Sequence, residues 1–425
     1  MDKYLIMWPK SKDVVHINYH YTQYGECVDY LNKFFKDQLV TIDCDVQNED
    51  VFDLIKSNNI QKVVMQVNYE NAENAFSLCE KIKEKYGIPI MGYGSIPIRL
   101  PEMFLNSKFD AIFKNGDPEV CIRTFLQNYD AGKDTFELQK SIRGANLIRD
   151  GKLVETESGQ YISPNNWGVS KQEFVPVDEY DKLKEKNRFV LNISRGCPYG
   201  CPHCLIQLTE GRKERRRSID NLREALKQIE KKYKHIKIWA ANFTLDKEYV
   251  KHFCKLMREE YPDITWECAT RIDLVRDTKM LKEMYEAGCR QISLGIESLN
   301  NEELIHTKGF KVQEVSRAID GIQSAGIRVK GCIMLGMPNQ DEESIIRTLK
   351  FLKEKNVIIR PTIYTPYQKI TPKVGLQQLE NYNRKTYKNS GVNGVTSEQL
   401  IQLVKDPYNY EEILKSVRKK DEEER

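Results

Sequence analysis

Residues 195–206 read RGCPYGCPHCLI, and the rest of the chain is understood outward from this run. It sets Cys197, Cys201 and Cys204 in a Cys-x3-Cys-x2-Cys spacing, with Gly196 and Gly200 beside them and no further cysteine until Cys254. The run follows directly on Phe189–Ser194, a short apolar stretch that reads as a strand. After it comes a helical pattern with Leu222, Leu226, Ile229 and Tyr233 on one face. Further strand patterns follow at Ile236–Ala241, Ile264–Ala269, Gln291–Ile296, Arg328–Met334 and Val357–Tyr364, each preceded by an amphipathic helical segment. Six strand-helix units are too few to close an eight-unit barrel, so the pattern predicts a partial barrel. The cysteine loop then lies at the C-terminal end of its first strand, on the edge where such sheets carry their chemistry.

Upstream, a separate block alternates strand patterns at Tyr4–Trp8, Val40–Ile42, Lys62–Val67, Ile88–Met91 and Asp110–Phe113 with helices. One of these helices places Tyr24, Val28, Leu31 and Phe35 on a single face. Such alternation predicts an α/β doubly wound parallel sheet. The expected division is therefore 1–130 for this sheet, 131–187 for a Gly- and Pro-containing linker, 188–368 for the partial barrel and 369–425 for a C-terminal extension. The net charge of +4 across 128 charged side chains gives no general affinity for polyanions. The one basic run, GRKERRRS at 211–218, reads as a solvated loop or helix start with Ser218 as cap, so no nucleic-acid partner is expected. The apolar run Tyr4–Trp8 is too short for a signal peptide or a membrane span, so no membrane partner and a cytoplasmic location are expected. In that reducing compartment, the cysteines outside the 197–204 loop read as small buried hydrophobes.

Three clustered thiolates do not suit structural zinc, which takes four ligands, and His203 adjoins Cys204 too closely to complete the set comfortably. A cubane 4Fe-4S cluster held by three cysteines keeps one iron open for another ligand. The segment resembles the cluster loop of the radical S-adenosylmethionine (SAM) superfamily, whose fold is a six-unit partial barrel. The resemblance extends over about residues 188–365. SLGIES, Ser293 to Ser298, is similar to the family's fourth-strand motif; TRIDLV, Thr270 to Val275, to the third-strand end; VKGCIMLGMP, Val329 to Pro338, to the fifth-strand segment beside adenine. It implies that Cys197, Cys201 and Cys204 bind the cluster, and that Asn242, Arg271, Ser293, Glu297 and Ile333 contact SAM. Glu297 would accept from the amine or ribose, Arg271 would pair with the carboxylate and Ile333 would pack on the base. The simpler alternative is an ion pair between Glu297 and Arg271 at the barrel rim. AANFT, Ala240 to Thr244, lacks the two acidic residues that often precede Asn-Phe in this branch.

Residues 88–119 resemble the end of the cobalamin-binding domain that precedes the barrel in many radical SAM enzymes. Here Gly92-Tyr93-Gly94 stands where Gly-Gly is usual, MQVNYEN fills the third-strand loop, and the Asp-x-His-x-x-Gly ligand motif is absent. His16 and His20 lie outside its frame and read as surface residues. The altered slot argues against cobalamin. The expected activity is therefore reductive cleavage of SAM and hydrogen abstraction from a polar small molecule, leading to dehydration, epimerisation or rearrangement. Tyr364 and Tyr367 are expected at the barrel mouth as catalytic candidates, and a flavodoxin or ferredoxin is expected as external electron donor. The alternatives are a cobalamin-dependent radical SAM C- or P-methyltransferase and an iron-sulfur electron-transfer protein that does not use SAM.

Overall fold

The computed structural model describes residues 2–12, 17–169, 176, 178–179, 189–300, 311–367, 370–382 and 392–415. The first unit is a sheet of β1 (Lys3–Trp8), β2 (Leu39–Asp43), β3 (Ile60–Gln66), β4 (Ile90–Tyr93) and β5 (Ala111–Phe113), parallel in the order β2-β1-β3-β4-β5. β1 lies inside the sheet between β2 and β3 and is covered on both faces, which is why it reads as a continuous apolar run; Leu5, Ile6, Met7 and Trp8 are fully buried. Within 131–187, β6 (Ala145–Arg149) and β7 (Lys152–Glu155) form a hairpin that pairs antiparallel with β5 and extends this sheet.

The second unit holds six parallel strands, β8 (Phe189–Asn192), β11 (His235–Trp239), β12 (Thr265–Thr270), β13 (Cys289–Glu297), β14 (Arg328–Leu335) and β15 (Ile358–Ile363), in simple sequential order. This is the partial barrel that the six-unit pattern predicts. A small ribbon of β9 (Ser194–Arg195) against β10 (Arg215–Arg216) closes the cysteine loop at its base. Helix starts are fixed by side-chain caps: Ser218 accepts from Asn221 N–H, Asp246 from Tyr249 N–H and Asp277 from Lys279 and Met280 N–H. Behind β11 and β12, Phe243, Phe253 and Trp266 pack edge to face with centroids 5.2–5.3 Å apart.

Helix Ile17–Phe35 joins the two units. Its buried face, Tyr24, Val28, Leu31 and Phe35, belongs to one apolar cluster that also contains Phe189, Val190 and Leu191 of β8. The chain beyond β15 returns to the first unit. There Tyr367 packs on Tyr69 at 4.8 Å, and its carbonyl accepts from Arg99 Nη2 at 2.8 Å. Both sheets consequently turn their C-terminal edges toward a shared cleft. Among the described residues, no helix is long and apolar enough to cross a membrane.

Candidate active site

Strand ends of the barrel deliver the candidate site. The loop after β8 carries Cys197, which is buried, and Cys201 and Cys204, which are half-buried. Gly196 is required at its start: its φ is +90°, and a Cβ there would lie 2.3 Å from the Lys213 carbonyl oxygen. Gly200 is not crowded, since a Cβ there would meet no atom within 4 Å. Only the first of the two glycines is thus demanded by packing. Glu210 accepts from Gly196 N–H at 2.9 Å, and the Gly211 carbonyl accepts from Cys197 N–H at 3.1 Å, so the returning chain holds the loop.

Successive strands then bring one polar group each. From the β11 end, Asn242 Nδ2 donates to Cys197 Sγ at 3.3 Å. Arg271, at the β12 end, has its guanidinium over the Tyr199 ring at 3.9 Å and its Nη1 at 3.8 Å from Cys201 Sγ. It also binds Asp273 through Nε at 2.9 Å, which replaces the rim pair with Glu297 considered above. At the β13 end Glu297 sits at φ +63°, a costly conformation for a residue with a Cβ, and its Oε1 is 3.8 Å from His203 Nε2. Burial pushes the Cys197 thiol up, with the Tyr199 N–H and the Asn242 amide acting the other way. Among the described residues no three His, Cys, Asp or Glu side chains converge to hold a single metal ion. A cubane does not ask for such convergence, because each thiolate binds its own iron.

Ser293 is half-buried in mid-strand of β13, on the same alternate set as Gln291, while Ile292, Leu294 and Ile296 join the core. Ile333 differs from expectation. It shares a face of β14 with Gly331, where an added Cβ would meet Ile296, Val357 and Leu352, and it belongs to the apolar core. The period of two therefore turns its side chain toward the helix layer and leaves Lys330, Cys332 and Met334 on the other face. Tyr364 is half-buried just past β15. Tyr367 is drawn away from the barrel mouth, into the apolar cluster of the first unit, with its hydroxyl donating to the Tyr382 carbonyl at 3.1 Å.

The basic run also departs from a solvated loop. Arg215 binds Asp117 at 2.7 and 2.9 Å, Arg216 binds Glu214 at 2.8 Å, and Arg217, buried, donates to the carbonyls of Asn192, Trp167 and Gly168. The Ser218 cap holds. Beside them Arg195 is enclosed by Glu119 at 2.7 Å, Glu26 at 3.1 Å and Asp117 at 3.7 Å. Burial alone would lower the Arg195 pKa, but Glu119 and Glu26 outweigh it and hold the guanidinium charged. Burial raises the pKa of Glu26 against the pull of Arg195. This network ties the first unit to the residue two before Cys197. Its only trace in the sequence is an arginine next to the loop, because Glu26, Asp117 and Glu119 lie far away along the chain.

Above it lies the cleft between the two sheet edges, with about 640 Å³ of space including its opening to solvent. Gln66, Tyr93, Ser95, Asp117 and Glu119 line one side, and Asn192, Arg195 and Trp239 the other. The buried Asn192 Oδ1 accepts no hydrogen bond.

Residues 191–352 match the sequence profile of the Radical SAM superfamily. The chain carries a radical SAM domain. That family implies a 4Fe-4S cluster and SAM. Across 264 residues the chain is 27% identical to an uncharacterized methyltransferase of Pyrococcus horikoshii, covering 61% of this chain and 56% of that protein. It is 26% identical over 297 residues to an anaerobic magnesium-protoporphyrin IX monomethyl ester cyclase of Rubrivivax gelatinosus, covering 64% and 51%. Over 202 residues it is 26% identical to the bacteriochlorophyllide d C-8(2)-methyltransferase of Chlorobaculum tepidum, covering 45% and 43%. The matches thus span about half the length of these curated relatives. Among solved structures, the radical SAM methyltransferase TsrM of Kitasatospora setae, with cobalamin and a [4Fe-4S] cluster bound, superposes with a TM-score of 0.69 at 14% identity. That superposition covers 89% of this chain and 78% of TsrM. The cobalamin-dependent radical SAM enzyme OxsB with aqua-cobalamin bound gives 0.69 at 17% identity, covering 89% and 55%. These matches share the fold of both units, including the domain that precedes the barrel. They overturn the expectation of dehydration, epimerisation or rearrangement: the relatives include methyltransferases, and the structural neighbours that extend over both units are cobalamin-dependent.

Proposed function

We propose that this protein is a cobalamin-dependent radical SAM methyltransferase acting on carbon or phosphorus of a small molecule. The observation that carries the reading is the cleft at the joined sheet edges, in the two-unit fold shared with TsrM and OxsB. A corrin is rimmed with amide groups, and the cleft offers them the unpartnered Asn192 Oδ1 as an acceptor. The argument against cobalamin drawn from Tyr93 loses its force here. The Tyr93 ring is packed in the core and its hydroxyl donates to Gln66 Oε1 at 3.1 Å, which makes the residue part of the cleft's lining. His16 and the side chain of His20 lie outside the described residues.

In this reading Gln66, Tyr93, Ser95, Asn192 and Trp239 hold the corrin, which supplies a cobalt centre able to accept and pass on a methyl group. Cys197, Cys201 and Cys204 hold the cluster. Arg271, by exchanging Asp273 for a ligand carboxylate, would orient SAM from the β12 end, and Glu297 would accept from its amine or ribose. Asn242 donates to a cysteine sulfur, and such hydrogen bonds tune a cluster's potential. The test is expression with hydroxocobalamin followed by gel filtration. A stoichiometric corrin spectrum should travel with the protein, and incubation with SAM and reductant should yield S-adenosylhomocysteine. Protein that emerges without corrin, its cluster intact, would overturn the reading.

A further inference from the structure

The inner face of the barrel is not fully packed. On β11 to β15 the alternate residues that point outward, such as Ile238, Cys268, Ile292, Val329 and Ile359, are buried in the apolar core. Their inward neighbours are partly open: Trp239, Ala269, Ser293 and Cys332 are half-buried, and Arg360 is exposed. A closed barrel fills such positions with interlocking layers of side chains, so this one leaves a hollow. Deeper along the strands the hollow is closed by Glu267, which is buried and accepts from Gln291 Nε2 at 2.7 Å. At Trp239 and its register partner Asn192 it meets the cleft, which both residues line.

Arg360 stands out in this inward set. Its register partner on β14 is Cys332, so the two side chains share one face of the sheet. Among the described residues its guanidinium has no ion pair and no hydrogen bond. From β13 to β15 the inward positions hold no carboxylate before Glu297 at the strand end. A charge on an edge strand commonly serves to repel a second sheet. Here that edge is already engaged, since the Tyr408 hydroxyl accepts from Ile359 N–H at 3.0 Å. A guanidinium facing a hollow, with no acid of its own, matches a carboxylate or phosphoryl group, which it can bind through two parallel N–H bonds.

We propose that Arg360 anchors an anionic group, a carboxylate or a phosphoryl group, on the molecule that is methylated. That the anchored molecule is a methyl acceptor rests on the methyltransferase reading; the anion site rests on the barrel alone. The anchor selects acidic molecules over neutral ones and fixes the end by which they are held. The guanidinium stays protonated throughout and moves no proton.

The experiment uses the full chain with its cluster reconstituted anaerobically and Cys332 as the reporter beside Arg360. The thiol is modified by anionic 2-sulfonatoethyl or cationic 2-(trimethylammonium)ethyl methanethiosulfonate. Rates are read by peptide mass spectrometry and divided by each reagent's rate with free 2-mercaptoethanol. The anion-to-cation ratio at Cys332 should exceed one and should fall roughly three- to tenfold in Arg360→Gln, because one unit charge is removed within several ångströms of the reacting sulfur. Arg360→Lys should keep most of the ratio, and half-buried Cys44, on the other unit, should not change in either variant. In a second arm, inorganic phosphate or succinate, at matched ionic strength, should slow modification of Cys332 by the neutral methyl methanethiosulfonate, and Arg360→Gln should abolish that protection. Protection by phosphate alone assigns a phosphoryl group, and protection by succinate alone a carboxylate. A Cys332 that no reagent reaches, a ratio unchanged in Arg360→Gln, or protection that survives this substitution overturns the proposal. Protein that lacks corrin yet shows Arg360-dependent protection overturns the methyltransferase reading and leaves the anion site standing; corrin-loaded protein without such protection does the reverse.

Discussion

The two sheets meet edge to edge, and the edges are chemically unlike. The barrel edge offers soft and polar groups, one from each successive strand: thiols after β8, Asn242 after β11, Arg271 after β12 and Glu297 after β13. Over the first sheet's edge, Asp117 and Glu119 are neutralised by Arg215 and Arg195 from the barrel side. One edge is arranged to receive ligands. The other spends its charge on holding the cysteine loop, and keeps for a ligand only a rim of acceptors. The difference teaches that the first unit has a structural task at the cluster loop as well as the proposed corrin site.

The largest effect should fall on the barrel edge. Alanine at Cys197, Cys201 or Cys204 should abolish cluster loading, measured as iron and sulfide after anaerobic reconstitution, while Cys268→Ala and Cys289→Ala keep it. Those two are buried on β12 and β13, where burial pushes the Cys268 thiol far up. A cluster retained in all three loop variants would break the contrast.

Next comes the charged edge. Arg195→Met leaves Glu26 and Glu119 buried without their partner and should destabilise the chain by about 3–5 kcal/mol, read from urea unfolding. Glu119→Gln, which removes one of several acids, should cost less. If the two cost the same, the network is a set of separate pairs.

A smaller effect should follow from the strand-end charges. Glu297→Gln or Arg271→Gln should weaken SAM binding by about 1.5–3 kcal/mol in calorimetry, with thermal stability little changed. SAM affinity insensitive to both would move the ligand away from this edge.

The smallest is remote from either edge. The N–H of Met280 leads the groups that hold the Asp277 carboxyl below its usual range, at the start of helix Thr278–Glu286. A depressed pKa stabilises the fold above the unfolded value, near pH 4, and that contribution disappears as pH falls through the folded value. Asp277→Ala should therefore cost about 1 kcal/mol at neutral pH, and less as the pH falls below about 4.

Much of the barrel edge was legible in the sequence because its polar groups are local. The three cysteines stand within eight residues, and Asn242, Arg271 and Glu297 each follow a strand pattern that fixes their height on the sheet. Ile333 was misjudged for a definite reason: placing a motif on a strand does not say which of its alternate side chains faces inward, and a period of two makes a one-residue shift a reversal of face. Tyr367 was misjudged because an aromatic near a strand end can be used by either unit, and here the first unit's apolar cluster claimed it.

By itself the sequence determined the two parallel sheets, the six-unit barrel and the thiol trio, since each rests on hydrophobic period or on spacing within a few residues. Only the tertiary structure decided that the arginines of 215–217 point inward, that Arg195 gathers Glu26, Asp117 and Glu119, and that Tyr93 lines the cleft. The physical reason is desolvation. A charge run is indistinguishable from a solvated face until its partners, dozens of residues away, are folded against it, and burial is tolerable only once they are in place.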